Sequence, residues 1–285
     1  MSPWRGHARR STFGRTEVQL RKSQIVDLYA PPYDARMHSI MTTFCAGLIA
    51  GAMNGLAGGG SFISLPAMIL AGVPPVQANA SSTVALFPGG VASAWAYRDG
   101  LSTVGPVSLR GLLIATLAGG FVGAALLLAT PSTAFSFVLP WLLLVASLAL
   151  AFGRRAGEKL RKRVQIRAGA VLGIQFLLGI YGGYFGGAVG IMMLATWGLL
   201  GDRDIKSLNA PRTVLVSAAN ACAVVTFILA HAVAWQPTLT MLVSALIGGY
   251  GGARIGRRAS PRVIRLGTLV TTFCITLVFF AKTYG

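Results

Sequence analysis

The sequence predicts an all-α polytopic membrane protein of two inverted repeats, each a glycine-broken re-entrant hairpin or bent helix followed by three spanning helices. Three observations carry this. Of the 285 residues 54% are hydrophobic and 11% charged, with a mean hydropathy of +0.67; that is too apolar for a soluble α/β chain and too aliphatic for a porin-type barrel. Two long apolar stretches, from about Met41 to Gly72 and from about Ala168 to Leu200, are interrupted at Ala57-Gly58-Gly59-Gly60-Ser61 and at Phe185-Gly186-Gly187-Ala188-Val189-Gly190. The surrounding motifs also recur in order. Gly51, Gly55, Gly58 and Gly59 match Gly179, Gly183, Gly186 and Gly187; Asn79-Ala80-Ser81-Ser82-Thr83-Val84 matches Asn209-Ala210-Pro211-Arg212-Thr213-Val214; Gly119-Gly120-Phe121-Val122-Gly123 matches Gly248-Gly249-Tyr250-Gly251-Gly252. The separations are 128, 130 and 129 residues, so the register persists across a whole half.

Residues 1–36 are read as a basic, disordered extension outside the fold. They hold Arg9, Arg10, Arg15, Arg21, Lys22, Pro31 and Pro32 and lack the apolar core of a signal peptide. Met37 and Met41 stand directly before the first apolar run and are equally good starts. The transmembrane domain is then 37–285. Repeat one, about 39–153, contains apolar segments 39–57, 61–72, 78–97, 106–129 and 134–153. Repeat two, about 168–281, contains 168–186, 188–200, 207–230, 236–256 and 263–281. The second segment of each is too short for a core that needs about 20 residues, so it pairs with its predecessor across the break. Each glycine weakens a helix by roughly 1 kcal/mol relative to alanine, so three in a row call for more than packing.

Charge sets the topology. If each broken pair returns to its starting side, Arg98 to Arg110, Arg154 to Arg167, Arg203 to Lys206 and Arg254 to Arg265 all fall in the cytoplasm. Val73 to Gln77, Thr130 to Thr133 and His231 to Pro237, which contain no Lys or Arg, fall opposite. Lys282 and the basic extension conflict with this arrangement; a misassigned start, or a first segment that crosses fully, removes the larger conflict. The net charge of +18 is thus accounted for by short clusters between membrane segments. The partner this composition implies is the lipid bilayer and not nucleic acid.

Behind each break a short helix begins, and its first backbone N–H groups have no partner inside it. Gly59, Gly60 and Ser61 in one half, with Gly187, Ala188 and Val189 in the other, can present such donors to an oxyanion. Close helix packing is the competing reading for such glycines, and it is the one preferred at Gly119-Gly120 and Gly248-Gly249. Arg212 is the one cation inside a motif, and its counterpart is Ser82. Its planar fork suits an oxyanion; an interfacial anchor near Lys206 is an equally good reading. Asn79, Ser81, Ser82, Thr83, Asn209 and Thr213 add neutral donors, or cap helices. Asn54 is an amide deep in a helix that needs a partner. Tyr181 and Tyr184 flank the second break and either line the same cavity or anchor at the interface. The candidate substrate-binding residues are therefore Asn54, Gly58, Gly59, Gly60, Ser61, Asn79, Ser82, Thr83, Tyr181, Gly186, Gly187, Asn209, Arg212 and Thr213.

Outside the extension the acids are Asp99, Glu158, Asp202 and Asp204, all in the cytoplasmic segments. Cation sites, carboxylate proton relays and aspartyl proteolysis are disfavoured. Gly60-Ser61-Phe62 is no nucleophile elbow, and His231 stands at an outer helix end. Cys45, Cys222 and Cys274 are single and read as core residues. No catalytic residue, metal or cofactor is expected.

The paired breaks, the run from Val73 to Thr83 and its counterpart Asn209 to Thr213 resemble the TauE/SafE family of sulfite and organosulfonate exporters, over about residues 41–281. The resemblance implies a bacterial inner-membrane, multi-pass transporter that exports small sulfur-containing anions such as sulfite, sulfoacetate or related sulfonates. Family membership does not fix the cargo. A channel or carrier for another small anion, or a non-transporting membrane partner protein, stays open, as does the oligomeric state.

Overall fold

The computed structural model describes residues 33–57, 59–104, 107–161, 167–200, 207–256 and 260–285. The chain separates into Met1–His38 and Ser39–Gly285, and the second unit carries the apolar segments. The extension read over 1–36 lies outside the described residues as far as residue 32.

The described residues form ten α-helices: α1 Tyr33–Ala57, α2 Ser61–Leu70, α3 Pro75–Ala96, α4 Leu109–Ala129, α5 Ser132–Arg161, α6 Ala168–Tyr184, α7 Val189–Trp197, α8 Asn209–Leu229, α9 Trp235–Gly256 and α10 Pro261–Tyr284. Each overlaps one of the ten apolar segments, although α1 Tyr33–Ala57 starts before 39 and α5 Ser132–Arg161 runs on past 153. Leu109–Ala129, Ser132–Gly153, Asn209–Leu229 and Arg265–Tyr284 are long and apolar enough to cross a membrane. α3 and α9, at 22 residues each, have the length without the hydropathy. The cause is plain in α3, where Asn79, Ser81 and Ser82 are buried inside the bundle, out of contact with lipid.

α2 and α7, with 10 and 9 residues, are only about 15 Å and 13 Å long, half of a core of about 30 Å. Both fold back along the helix before them. Ser39 Oγ, near the start of α1, donates to the Ala71 carbonyl just past α2 at 3.4 Å; a continuous helix would hold them about 48 Å apart. Trp197 Nε1, at the end of α7, donates to Gln175 Oε1 in α6 at 3.2 Å, where a straight run would separate them by about 33 Å. Of the two forms the sequence allows, these bonds show a chain that folds back as a hairpin and not a bent helix that runs on.

Lipid tails give helices no hydrophobic reason to associate, so close van der Waals approach must hold the bundle. Two glycine seams supply it. A Cβ at Gly51 would collide with the Ala245 carbonyl of α9, and one at Gly248 with the Leu48 carbonyl of α1. In the second seam Gly119 and Gly123 of α4 meet the Phe176 and Ile180 carbonyls of α6, and Gly183 meets the Gly120 carbonyl. Close packing accounts for Gly119-Gly120 and Gly248; Gly249 is looser, the nearest atom lying 3.5 Å from where its Cβ would stand. Further packings also pair off across the halves: α3 with α9 and α4 with α8, α2 with α10 and α5 with α7. α3 crosses α8, where Ser217 Oγ donates to the Gly90 carbonyl at 2.9 Å. Ser147 of α5 shares a 3.1 Å hydrogen bond with Thr276 of α10, and these two residues are themselves counterparts at the repeat spacing.

The main core gathers Phe62, Leu65, Met68, Phe135, Leu139, Phe185 and Phe227, and a second cluster surrounds Leu112, Met193, Trp197 and Leu215. Ile114, Phe121, Trp141, Leu229 and Leu277 are exposed, as lipid-facing residues would be. The cysteines correct the expectation of core positions: Cys45 and Cys274 are exposed and Cys222 is half-buried. An apolar neighbourhood in sequence marks the lipid face as readily as the interior.

Candidate functional site

At the first elbow Gly59 has φ +117°, a conformation natural only to glycine. Gly60 is buried against α1, where a Cβ would come within 2.5 Å of the Ala50 carbonyl and 3.1 Å of Asn54 Cβ. The first bonds of α2 run from the Phe62 N–H to the Gly59 carbonyl and from the Ile63 and Ser64 N–H groups to the Gly60 carbonyl, all at 3.0 Å. The N–H groups of Gly60 and Ser61 therefore precede the intrahelical ladder. Gly58, also expected here, lies outside the described residues.

The second elbow turns through Gly186, with φ +81°, and Ala188, with φ 59°. A left-handed alanine costs roughly 1–2 kcal/mol, which the surrounding packing must hold. Ile191 and Met192 donate to the Ala188 carbonyl at 3.0 and 3.2 Å, leaving the Val189 and Gly190 N–H groups ahead of the ladder. Gly187 is buried, and a Cβ there would lie 2.5 Å from the Phe185 ring.

α3 ties the two elbows together. Asn79 Nδ2 donates to the Tyr184 carbonyl at 2.8 Å, satisfying an orphan carbonyl at the end of α6 next to the second elbow. Three residues on, Ser82 shares a 2.5 Å hydrogen bond with Ser64 Oγ, and Ser64 Oγ is 3.1 Å from the Gly60 carbonyl at the first elbow. Both elbows thus touch α3 within a rise of about 4.5 Å along its axis.

The expected pairing of Ser82 with Arg212 has a structural counterpart. As Ser82 meets the first turn of α2, Arg212 meets the first turn of α7, its Cγ and Cδ 3.5 and 3.3 Å from where a Gly190 Cβ would stand. At repeat spacing Phe62 and Ser82 in one half face Gly190 and Arg212 in the other, a large and a small residue exchanged so that the longer side chain fits. Ser82 is buried and engaged by Ser64, whereas Arg212 is half-buried. The ion pair among the described residues is Arg98–Asp99 at 3.6 Å, so no described carboxylate neutralises Arg212.

Thr83 and Thr213 each give their hydroxyl to the carbonyl four residues back, Asn79 and Asn209, at 2.9 and 2.8 Å. Asn209 is the first residue of α8, and no side chain caps α3 or α8; the capping hydroxyls are Ser108 on the Gly111 N–H and Ser260 on the Val263 N–H. Capping therefore does not explain Asn79 or Asn209. Tyr181 donates to the Leu142 carbonyl at 3.4 Å and packs edge-on against Phe185. Tyr184 shares a 3.3 Å hydrogen bond with Thr130. Asn54 is half-buried beside Gly60, and Ser61 is half-buried at the start of α2.

Two features escaped the sequence reading. Asn220, halfway along α8, has Oδ1 only 3.8 Å from the Cβ position of Gly186; an amide inside the apolar segment 207–230 was the available signal. Gln175 links the second hairpin to α4, its Nε2 donating to Thr116 Oγ1 at 2.8 Å while its Oε1 accepts from Trp197.

The chain matches the family model of the sulfite exporter TauE/SafE over residues 43–279. It is 28% identical over 234 residues to a probable membrane transporter protein of Haemophilus influenzae, covering 82% of this chain and 91% of that one. It is 26% identical over 253 residues to the probable membrane transporter protein ORF9 of Sinorhizobium sp., covering 87% and 95%. Against the probable membrane transporter protein YfcA of Escherichia coli K12 the identity is 26% over 242 residues, covering 85% and 90%. No solved structure matches.

Proposed function

The chain belongs to the sulfite exporter TauE/SafE family of membrane transporters, and from that premise we propose that it carries small sulfur-containing anions, sulfite or sulfonates, out of the cytoplasm across the inner membrane of a bacterium. The observation that carries the reading is the convergence of the two hairpin elbows on α3, through Asn79 and Ser82. The helix starts of α2 and α7, with their leading N–H groups, are thus both tied to one helix, and no described carboxylate is buried there to repel an anion. Arg212, packed on the first turn of α7, adds a full positive charge and a fork that fits two oxyanion oxygens.

Two inverted repeats are part of this proposal. Support comes from the fold-back of both hairpins, from helix packings that pair off across the halves, and from the alternation of basic and uncharged segments along the chain. Such a pseudo-symmetric site lets one half rock against the other around a fixed anion. With the cell interior negative, outward movement of each unit charge is favoured by about 2.3 kcal/mol per 100 mV, so export needs no coupled proton.

The test is flux of sulfite, sulfoacetate and sulfate, measured side by side in proteoliposomes of the purified chain. Saturable flux of sulfite or sulfoacetate is expected. Flux of sulfate alone would assign another anion, and no flux of any would leave a non-transporting membrane protein.

A further inference from the structure

We propose that Asn220 is a substrate-contacting residue of the second elbow, fixing the orientation and selectivity of the bound oxyanion; this rests on the transport reading above. Two amides approach that elbow from the two crossing helices. Asn79, from α3, gives its N–H to the Tyr184 carbonyl and so holds the elbow in shape. Asn220, from α8, lies over Gly186, its Oδ1 3.8 Å from the position a Cβ would take. Among the described residues no hydrogen bond occupies the Asn220 side chain, although every fully buried side-chain polar atom has a partner. Asn220 is accordingly half-buried, its amide reachable at the middle of an apolar helix where an idle polar group is costly.

The position on α8 supports a ligand role. Arg212, Val216 and Asn220 fall at successive four-residue steps and so share one face of the helix. That face meets the second hairpin at two levels, Arg212 and Val216 at Gly190 and Asn220 at Gly186. One stripe thus carries a cation, an apolar spacer and a neutral amide past the start of α7. The repeat counterpart of Asn220 is Gly90, so the amide belongs to one half alone, like the guanidinium. A neutral donor adds direction without further charge, which keeps the anion bound loosely enough to leave. Because an amide also accepts, it discriminates between oxyanions that carry a proton or polar substituent and those that do not.

Binding is read separately from flux, as the rise in melting temperature of the full detergent-purified chain with sulfite, sulfoacetate or sulfate. Asn220→Leu should melt like wild type without ligand and need about tenfold more anion for the same rise, the loss of one hydrogen bond to a charge. It should also change the ratio of sulfite to sulfoacetate flux. Asn220→Asp, nearly isosteric, should lose the rise at pH 7.5 and regain part of it, relative to wild type, at pH 5 as the carboxyl protonates. If Asn220→Leu does not fold, Asn220→Ser is read in its place by the same criterion. Wild-type anion dependence and flux ratio in Asn220→Leu or Asn220→Ser, or an Asp variant that tracks wild type at both pH values, would overturn the assignment. A wild-type chain that moves no anion would sink the transport reading, while the melting shifts still decide Asn220.

Discussion

Gly123→Leu should leave no folded protein in the membrane, and Gly51→Leu should do the same. The position of a Cβ at Gly123 collides with the Ile180 carbonyl and lies 2.8 Å from the Tyr184 nitrogen; at Gly51 it collides with the Ala245 carbonyl. These neighbours are backbone, so no rotamer change relieves them, and a whole helix must move away. In each seam the facing helix also contributes a glycine contact, Gly183 on Gly120 and Gly248 on Leu48, so displacement at one point opens the rest. Overpacking costs typically 1–3 kcal/mol where side chains can shift, and a backbone seam in lipid loses the van der Waals contact that is its main source of stability. Alanine at Gly89, Gly169 or Gly173, where nothing lies within 4 Å, should by contrast gain up to about 1 kcal/mol of helix propensity. The yield of folded, detergent-purified protein separates the two groups, and a Gly123→Leu or Gly51→Leu chain that accumulates and melts like wild type would show that the seams are not what holds the bundle.

Changes at the elbows should spare folding and abolish transport. Gly59, at φ +117°, stands where leucine is strained and would fill the approach to the α2 N–H groups; Gly187→Leu would press on the Phe185 ring. Both variants should insert and carry no anion. Arg212→Lys keeps the charge and loses the fork, and Arg212→Gln loses the charge. Each should weaken the apparent affinity by about 1.5–3 kcal/mol, roughly ten- to a hundredfold. A wild-type KM for Arg212→Lys together with a dead Gly59→Leu would make Arg212 an interfacial anchor and leave the helix ends as the anion-binding groups.

The ten helices were legible because each is a local matter of apolar run length, and the breaks because glycine clusters announce themselves. Whether the chain bends or folds back at a break was not legible. That choice is made by Ser39 with Ala71 and by Gln175 with Trp197, pairs 32 and 22 residues apart. The candidate site was legible as a set of polar residues near the breaks and illegible as a division of labour. Asn79 reads as a donor to an anion until its partner, the Tyr184 carbonyl 105 residues away, is known. Ser82 likewise reads as the equal of Arg212, yet Ser64 engages its hydroxyl while Gly190 makes room for the guanidinium stem. Asn220 was illegible because it is not adjacent to a break in sequence, and only the packing of α8 brings it to the second elbow.

The central claim is that this chain alone moves a small anion with its charge. Proteoliposomes loaded with sulfite and holding only this protein, given an inside-negative potassium diffusion potential, test it directly. Net sulfite efflux should begin when the potential is imposed, rise with its magnitude, persist with the proton gradient collapsed, and be absent with Gly187→Leu. Efflux that ignores the potential, or that is unchanged in Gly187→Leu, would contradict the account.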